Sequence, residues 1–251
     1  MAPFTTTTGD GIRIAGDLFM AHGSSRGTLV LAHGLPSGAA PPSDTTDEGY
    51  PGLARRLAQR GFSVAIFNFR GTGMSGGHLM IDRWADDLGA VLDYLDRSEA
   101  KRKRYAVIGF SAGGAASIMR SALDERIDPL ITMAAPADYS FLPINTDAEA
   151  WYAWYREMGM IRDGYGENPQ QWAQRFREVN AREAIARSKA EEIFVIHGTA
   201  DDTVPVTHAN ILAKAAGDKA RSILIAGGIH QMRRDERAVD TLFDVLQRVF
   251  P

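Results

Sequence analysis

Short apolar runs alternate with amphipathic stretches through most of this chain, and this alternation constrains the fold more than any other feature. The runs are bounded by Gly and Pro, so we expect each to be a strand. They cover residues 13–19, 28–33, 62–69, 105–109, 130–134, 193–197 and 222–226. Between them, apolar side chains recur at helical spacing, as in residues 84–95. The pattern predicts an α/β fold with a mostly parallel, doubly wound sheet.

Composition excludes several classes of protein. With 251 residues, 45% of them apolar, the chain is long enough to bury a large core without disulfides or metals. Its 28 Lys+Arg against 31 Asp+Glu leave a net charge of −3, so no basic field favours a nucleic-acid partner. The absence of cysteine excludes a thiol nucleophile and a cysteine-ligated metal. We find neither a secretory leader nor a membrane span, and expect a cytoplasmic protein.

One segment departs from the alternating pattern. Nine of the 22 aromatic residues fall within residues 139–176, with no strand signal among them. We therefore expect a helical cap over residues 139–183, inserted into a core of residues 1–138 and 184–251. Aromatic side chains of a cap would line a substrate pocket beneath it, and Trp151, Trp154 and Trp172 are the candidates. The alternative is that these aromatics form a small satellite core.

A serine lies on a predicted turn between a strand and a helix. Gly109-Phe110-Ser111-Ala112-Gly113 matches the G-x-S-x-G pattern and follows the strand predicted at residues 105–109. A serine on so sharp a turn takes strained backbone angles, and its neighbours two positions away must be small. The turn would expose the Ser111 hydroxyl above the carboxyl ends of the strands. It would also leave the Ala112 N–H free to bind an oxyanion.

A serine nucleophile needs a base, and the base needs an acid that orients it. His230 follows the strand predicted at residues 222–226, at the end of the sheet where Ser111 is expected. Asp201 and Asp202 both follow the strand predicted at residues 193–197. Asp138, after another strand, is a third candidate for the acid. The nucleophile, acid and base then follow each other in the order Ser, Asp, His.

Five motifs together carry a resemblance to a known superfamily. They are Leu31-Ala32-His33-Gly34, Arg70-Gly71-Thr72-Gly73-Met74-Ser75, Gly109-Phe110-Ser111-Ala112-Gly113, His197-Gly198-Thr199-Ala200-Asp201 and Gly228-Ile229-His230. In order and spacing they resemble the α/β-hydrolase superfamily, and the match extends from about Ile12 to Phe250. The chain looks like a carboxylesterase or a monoacylglycerol-lipase-like serine hydrolase with a helical cap. It departs at Asn68, where the superfamily commonly has Asp.

The resemblance implies a catalytic machinery for ester hydrolysis. Ser111 is the implied nucleophile, His230 the base and Asp201 the acid, with the backbone amides of Leu35 and Ala112 as the oxyanion hole. The implied substrate is a small or medium, largely apolar ester, and no cofactor is implied. A thioesterase, a C–C bond hydrolase or a peptidase on the same triad is the nearer alternative. A catalytically silent protein that binds a small molecule is the more distant one.

Other motifs are given a structural interpretation. The G-x-G-x-x-G at residues 71–76 could bind a dinucleotide, but helical periodicity begins only near Trp84 instead of at the third glycine. His33 and His197 precede glycines at strand ends, where we expect them to support loops. The remaining histidines lack the spacing of metal ligands, and we predict no metal site. The loop from Leu35 to Tyr50 is expected to shape the pocket.

Overall fold

Eight strands form a single sheet in the computed structural model of the protein, which describes residues 1–36 and 49–251. The strands are β1 (Ala2–Thr7), β2 (Arg13–Phe19), β3 (Gly27–Ala32), β4 (Phe62–Phe67), β5 (Tyr105–Phe110), β6 (Ile127–Met133), β7 (Ile193–Gly198) and β8 (Ala220–Ile225). Their order across the sheet is β1-β2-β4-β3-β5-β6-β7-β8. β1 and β2 pair antiparallel, β2 pairs antiparallel with β4, and every further pair is parallel.

Helices cover both faces of this sheet. They are α1 (Gly49–Gln59), α2 (Trp84–Leu95), α3 (Ala112–Ser121), α4 (Ala148–Glu157), α5 (Pro169–Glu178), α6 (Ala181–Ala186), α7 (Thr207–Ala216) and α8 (Glu236–Val249). Helices α1 and α8 bury their apolar sides on one face, and α2, α3 and α7 bury theirs on the other. The central strands β3, β4, β5 and β7 are buried along their whole length. Unbroken apolar runs are what strands covered on both faces require.

The predicted strands are all present, but the sequence analysis missed one. Each of the seven predicted segments overlaps a strand, whereas β1 was not expected. In β1 only Phe4 and Thr6 are buried, since the strand lies at the edge of the sheet with one side toward solvent. A run of three threonines with a single buried aromatic residue carries too weak an apolar signal to be recognised.

The chain between β6 and β7 leaves the sheet and returns to it. This segment holds α4, α5 and α6, and α4 packs against α5. Helix α5 begins at a capping box in which Asn168 and Gln171 satisfy each other's backbone N–H groups. The segment is tied to the loop after β4 by a backbone bond from Leu79 N–H to Met160 O, 2.9 Å long. Arg175 adds an ion pair with Asp82 at 2.8 Å. These contacts hold the helices beside the carboxyl ends of the strands.

Candidate active site

Ser111 lies on a strained turn between β5 and α3. Its φ is 51°, in the left-handed region that residues with a side chain rarely adopt. Such a conformation costs on the order of 1–3 kcal/mol, and it persists where surrounding contacts enforce it. Here the Ser111 N–H donates to Met133 O at 2.8 Å, and the Ser111 carbonyl accepts from Gly114 N–H at 2.8 Å. The turn is therefore fixed to β6 on one side and to α3 on the other.

The two glycines of the serine motif are required by close backbone contacts. A Cβ on Gly109 would lie 2.5 Å from Gly114 Cα, and one on Gly113 would lie 2.3 Å from Ala32 O. Both distances are far below van der Waals contact and involve backbone atoms that cannot rotate away. The spacing G-x-S-x-G is thus a steric consequence of packing the turn between β3 and α3, as the sequence analysis expected.

The structure brings Ser111, His230 and Asp201 into one hydrogen-bonded chain. Ser111 Oγ lies 3.0 Å from His230 Nε2, and His230 Nδ1 lies 2.9 Å from Asp201 Oδ2. Because Asp201 accepts at Nδ1, the imidazole keeps its proton there and presents Nε2 as an acceptor to the hydroxyl. This is the arrangement in which an imidazole can take a proton from a serine.

Asp201 is held as a buried anion. Its side chain is fully buried, and Oδ1 accepts from the N–H groups of Thr203 and Val204 at 2.9 and 2.8 Å. Burial acts to raise the pKa of the Asp201 carboxyl, but hydrogen bonds from His197, His230 and Val204 outweigh it and hold the pKa well below its usual range. The carboxylate is therefore ionised at neutral pH.

Backbone contacts fasten the loops that carry Asp201 and His230 to each other. A Cβ on Gly198 would lie 2.2 Å from Gly228 O, so the backbones of the two loops are in contact without a side chain between them. The Ala200 N–H donates to Gly228 O at 2.9 Å, and the Thr199 N–H donates to Ile225 O at 3.0 Å. The relative position of the acid and the imidazole is thus set by main-chain geometry.

The loop that bears Leu35 and the first residue of α3, Ala112, both lie beside Ser111. Ala112 is the first residue of α3, so its N–H has no acceptor within the helix. The loop bearing Leu35 runs against the serine, since a Cβ on Gly34 would lie 2.9 Å from Ser111 Cβ. Leu35 and Ala112 both line the cavity beside Ser111. Two N–H groups in these positions suit an oxyanion hole.

His33 braces the loop that bears Leu35. Its Nδ1–H donates to Gly34 O at 2.7 Å, and its Nε2 accepts from the Phe69 N–H at 3.2 Å. Both bonds require a neutral ring with its proton on Nδ1. Burial lowers the pKa of the His33 imidazole to about 4, although the bond to Gly34 O acts in the opposite direction. His33 therefore supports a loop, as expected, and does so only while uncharged.

This neutral histidine predicts a loss of stability in acid. Between pH 6.5 and about 4 the unfolded chain takes up a proton at His33 that the folded protein does not, so the unfolding free energy falls as pH falls. The difference between the two pKa values corresponds to at most about 3 kcal/mol. In urea unfolding, the destabilisation caused by His33→Gln is expected to shrink by up to about 3 kcal/mol between about pH 7 and about pH 4. If the difference in unfolding free energy between wild type and His33→Gln stays constant with pH, His33 is protonated as readily in the folded protein as in the unfolded chain.

The other candidates for the acid make their side-chain hydrogen bonds, among the described residues, to groups other than His230. Asp138 Oδ1 accepts from the backbone and the hydroxyl of Ser140, in a local turn after β6. Asp202 is exposed, and its Oδ1 bonds the Thr203 hydroxyl at 3.2 Å. The choice that the sequence left open among three carboxylates is thus narrowed to Asp201 by contact with the imidazole.

The glycine-rich loop at residues 71–76 is a packed structural loop. The Gly71 N–H donates to Gly76 O at 2.9 Å, and a Cβ on Gly71 would lie 2.2 Å from Leu79 N. Helix α2 begins at Trp84, beyond this loop, so no helix N-terminus opens at its third glycine. Asn68, where the superfamily commonly has Asp, accepts from the Met74 N–H at 3.3 Å and so still supports the loop. Over residues 1–36 and 49–251, no cluster of three metal-ligating side chains occurs.

A cavity of about 1040 Å³ opens above Ser111 and His230. Aromatic and apolar side chains from the segment between β6 and β7 form much of its wall. They are Tyr139, Phe141, Leu142, Trp151, Trp154, Tyr155 and Met158. Tyr50, Asn68 and Arg233 line other parts of it. Sequence analysis anticipated Trp151 and Trp154 but not the others, although the clustering of aromatics within residues 139–176 was the signal that could have found them.

Trp172 corrects one expectation. Its side chain is fully buried, its Nε1–H donates to Leu79 O at 2.9 Å, and it packs against Phe176 and Tyr155. It is not part of the cavity wall, because α5 turns this side chain toward the loop after β4. Trp172 is thus a packing residue, and it belongs to the large buried cluster on one face of the sheet and not to a separate satellite core. Of the loop from Leu35 to Tyr50, which was expected to shape the pocket, residues 37–48 lie outside the described part of the chain.

A strained serine turn, an adjacent imidazole and an eight-stranded, mostly parallel sheet define a serine hydrolase of the α/β-hydrolase fold. The chain belongs to the prolyl oligopeptidase family, whose sequence model matches residues 53–246. It is 26% identical over 224 residues to Rv2307c, an uncharacterized protein of Mycobacterium tuberculosis (strain ATCC 25618 / H37Rv), covering 89% of this chain and 70% of that one.

Solved structures confirm the predicted fold. The α/β hydrolase GrgF from a Penicillium species has a TM-score of 0.75 at 17% identity, with 99% of this chain and 98% of that chain covered. The esterase EaEST from Exiguobacterium antarcticum has a TM-score of 0.71 at 17% identity, with 98% and 100% covered. Among the residues described here, no helix is both long and apolar enough to cross a membrane.

Proposed function

We propose that the protein hydrolyses carboxylic esters of small or medium apolar compounds, with Ser111, His230 and Asp201 as its catalytic triad. The observation that carries this proposal is the 3.0 Å contact between Ser111 Oγ and His230 Nε2 at the floor of an aromatic-walled cavity. Residues 139–183 act as a cap on a core of residues 1–138 and 184–251. A cavity lined by aromatic and apolar groups suits an apolar acyl or alcohol group.

In the first half of the reaction, Ser111 Oγ attacks the ester carbonyl carbon while its proton passes to His230 Nε2. The carbonyl oxygen becomes an oxyanion and accepts from the N–H groups of Leu35 and Ala112. Asp201 stabilises the imidazolium through the 2.9 Å bond to Nδ1. Collapse of the tetrahedral intermediate breaks the bond to the alcohol oxygen, which takes the proton from Nε2. The acyl group remains on Ser111.

The second half repeats these steps with water. His230 Nε2 takes a proton from a water molecule, whose oxygen attacks the acyl carbon. The new tetrahedral intermediate expels Ser111 Oγ, which recovers its proton from the imidazolium. A carboxylic acid leaves, and the enzyme returns to its starting state. No cofactor enters these steps.

Activity on a panel of p-nitrophenyl esters, from acetate to dodecanoate, tests the proposal. We expect saturable hydrolysis with a preference for a short or medium chain, and covalent labelling of Ser111 by a fluorophosphonate. A folded protein that leaves all the esters intact and is not labelled would be a silent binding protein. Proline-containing p-nitroanilides belong in the same panel, because the prolyl oligopeptidase family match favours peptides as a second substrate class. Faster cleavage of these amides than of every ester would make the protein a peptidase.

Two tryptophans of the cap give a matched pair of variants. Trp154 lines the cavity, whereas Trp172 is buried away from it. We expect Trp154→Ala to shift the preferred acyl length upward with little change in melting temperature. Trp172→Ala should instead lower the unfolding free energy by about 3–5 kcal/mol, the usual cost of emptying a large buried site. Acyl preference and thermal melting are measured on both. If Trp154→Ala melts early with its preference unchanged, Trp154 serves packing alone.

A further inference from the structure

His197 contacts the carboxylate that orients the catalytic imidazole. It lies near the end of β7, and its side chain is fully buried. Its Nε2 is 2.9 Å from Val204 O and 3.1 Å from Asp201 Oδ2. Both neighbours are acceptors, so Nε2 carries the hydrogen, which it donates to Val204 O while its positive end lies beside Oδ2. The sequence analysis expected His197 to support a loop, and the structure adds the contact with the acid.

The two oxygens of Asp201 are held differently. Oδ1 accepts from two backbone N–H groups, those of Thr203 and Val204. His230 Nδ1 lies 2.9 Å from Oδ2 and 3.1 Å from Oδ1, and His197 Nε2 lies 3.1 Å from Oδ2. Besides His230, His197 is therefore the side chain among the described residues that contacts Oδ2.

Packing alone does not explain a histidine at this position. His197 Nδ1 is buried and has no hydrogen-bond partner among the described residues. An unpaired buried nitrogen is unfavourable, and an apolar side chain of similar size would avoid it. What an apolar side chain could not supply is the N–H that donates to Val204 O and lies beside Asp201 Oδ2.

We infer that His197 is a positioning residue, which holds Asp201 Oδ2 in line with His230 and weakens its basicity through the 3.1 Å contact of its N–H with that oxygen. The inference rests on the proposed function and adds a fourth side chain to the machinery. Without this contact, Oδ2 is held by His230 alone, and the orientation of the carboxylate depends on the two backbone N–H groups at Oδ1. The carboxylate also becomes more basic, so it binds the imidazolium form of His230 more tightly.

Two substitutions separate this role from packing. His197→Leu fills the site but removes the donor, whereas His197→Gln places a carboxamide N–H near the former Nε2. The rate of Ser111 labelling by a fluorophosphonate, measured against pH, is the readout because it needs no knowledge of the substrate. We expect His197→Leu to label about 10- to 100-fold more slowly at its optimum. Its acid limb should also move to higher pH, and His197→Gln should restore both properties to within about threefold of wild type.

The pH dependence has identifiable contributors. His230 contacts Ser111 and Asp201, and Asp202 and Arg233 line the same cavity. On the other side, the buried His208 of α7 interacts electrostatically with Asp138, His197 and Asp201. His208 bonds the Ala137 N–H through Nδ1 at 3.1 Å, and no hydrogen bond between it and Asp201 occurs among the described residues. His208→Leu is therefore the control for losing a buried histidine nearby.

The outcomes are distinct. Unlabelled wild-type protein would contradict the proposed function itself. If the wild type is labelled and His197→Leu is labelled at the same rate and with the same pH profile, the positioning role is wrong. The positioning role is also wrong if His208→Leu moves the acid limb of the labelling rate as far as His197→Leu does. Both shifts would then reflect a general loss of packing around the site. Should His197→Leu fail to fold, His197→Asn takes its place, because its shorter amide stops before Asp201. Melting temperatures of all variants are recorded.

Discussion

Replacing Ser111 with alanine is expected to lower kcat for p-nitrophenyl esters by about 10⁶-fold, because the members of a catalytic triad act as a unit. The variant loses the hydroxyl but keeps the backbone that is bonded to Met133 O and Gly114 N–H. Its circular dichroism and melting temperature should therefore remain close to those of the wild type. Stopped-flow and long-time assays together cover the required range of rates.

Ser121→Ala is the matched control for this loss. Ser121 ends the same helix, α3, is buried, and donates from its hydroxyl to Ile118 O at 2.8 Å. Removing this hydroxyl costs about 1 kcal/mol of stability and leaves the site untouched, so kcat should stay near the wild-type value. Ester hydrolysis by Ser111→Ala at the wild-type rate would place the reaction at another residue.

The second large effect is expected from Asp201→Asn, at about 10⁴-fold in kcat. Every contact of the Asp201 carboxylate comes from a donor, so an amide NH₂ finds an acceptor on neither side. The two fixed backbone N–H groups force the amide oxygen to face them, which turns the NH₂ toward His230. The NH₂ then donates to His230 Nδ1, which moves the ring proton to Nε2. A protonated Nε2 cannot accept the proton of Ser111.

Asp202→Asn provides the internal comparison. Asp202 is exposed, and its bond to the Thr203 hydroxyl can be made by an amide oxygen as well. Its kcat is expected to stay within about tenfold of the wild type. Both variants are measured side by side at about pH 8, above the usual range for a histidine base. A larger defect in Asp202→Asn would move the acid by one residue, and normal activity in both would move it to Asp138.

The parts of this site that a sequence predicts best are those that depend on the backbone. Gly109, Gly113 and Gly198 have another segment of backbone where a Cβ would lie, so only glycine fits at these positions. Such a steric requirement can be recognised directly in the sequence. The turn that carries Ser111 and the close contact between the loops of Asp201 and His230 both depend on these glycines. The positions of seven of the eight strands along the chain likewise follow from the short apolar runs.

Side-chain partnerships were harder to predict. Trp172 and Trp154 have the same residue type in the same segment, yet one packs on Leu79 and the other lines the cavity. The direction of each depends on how α4 and α5 rotate, which aromatic content does not determine. The contact between His197 and Asp201 depends on how the loop after β7 folds back, because the four-residue spacing alone would not place Asp201 beside the ring. β1 was missed because an edge strand needs few apolar residues.

The contact between Gly198 and Gly228 fixes two members of the proposed triad relative to each other. It joins the loops of Asp201 and His230 with no side chain between them. The backbone of Ser111 is held by other contacts, with Met133 O and Gly114 N–H. Of the two contacts within the proposed triad, the one between Asp201 and His230 is therefore the one whose loops the main chain joins directly.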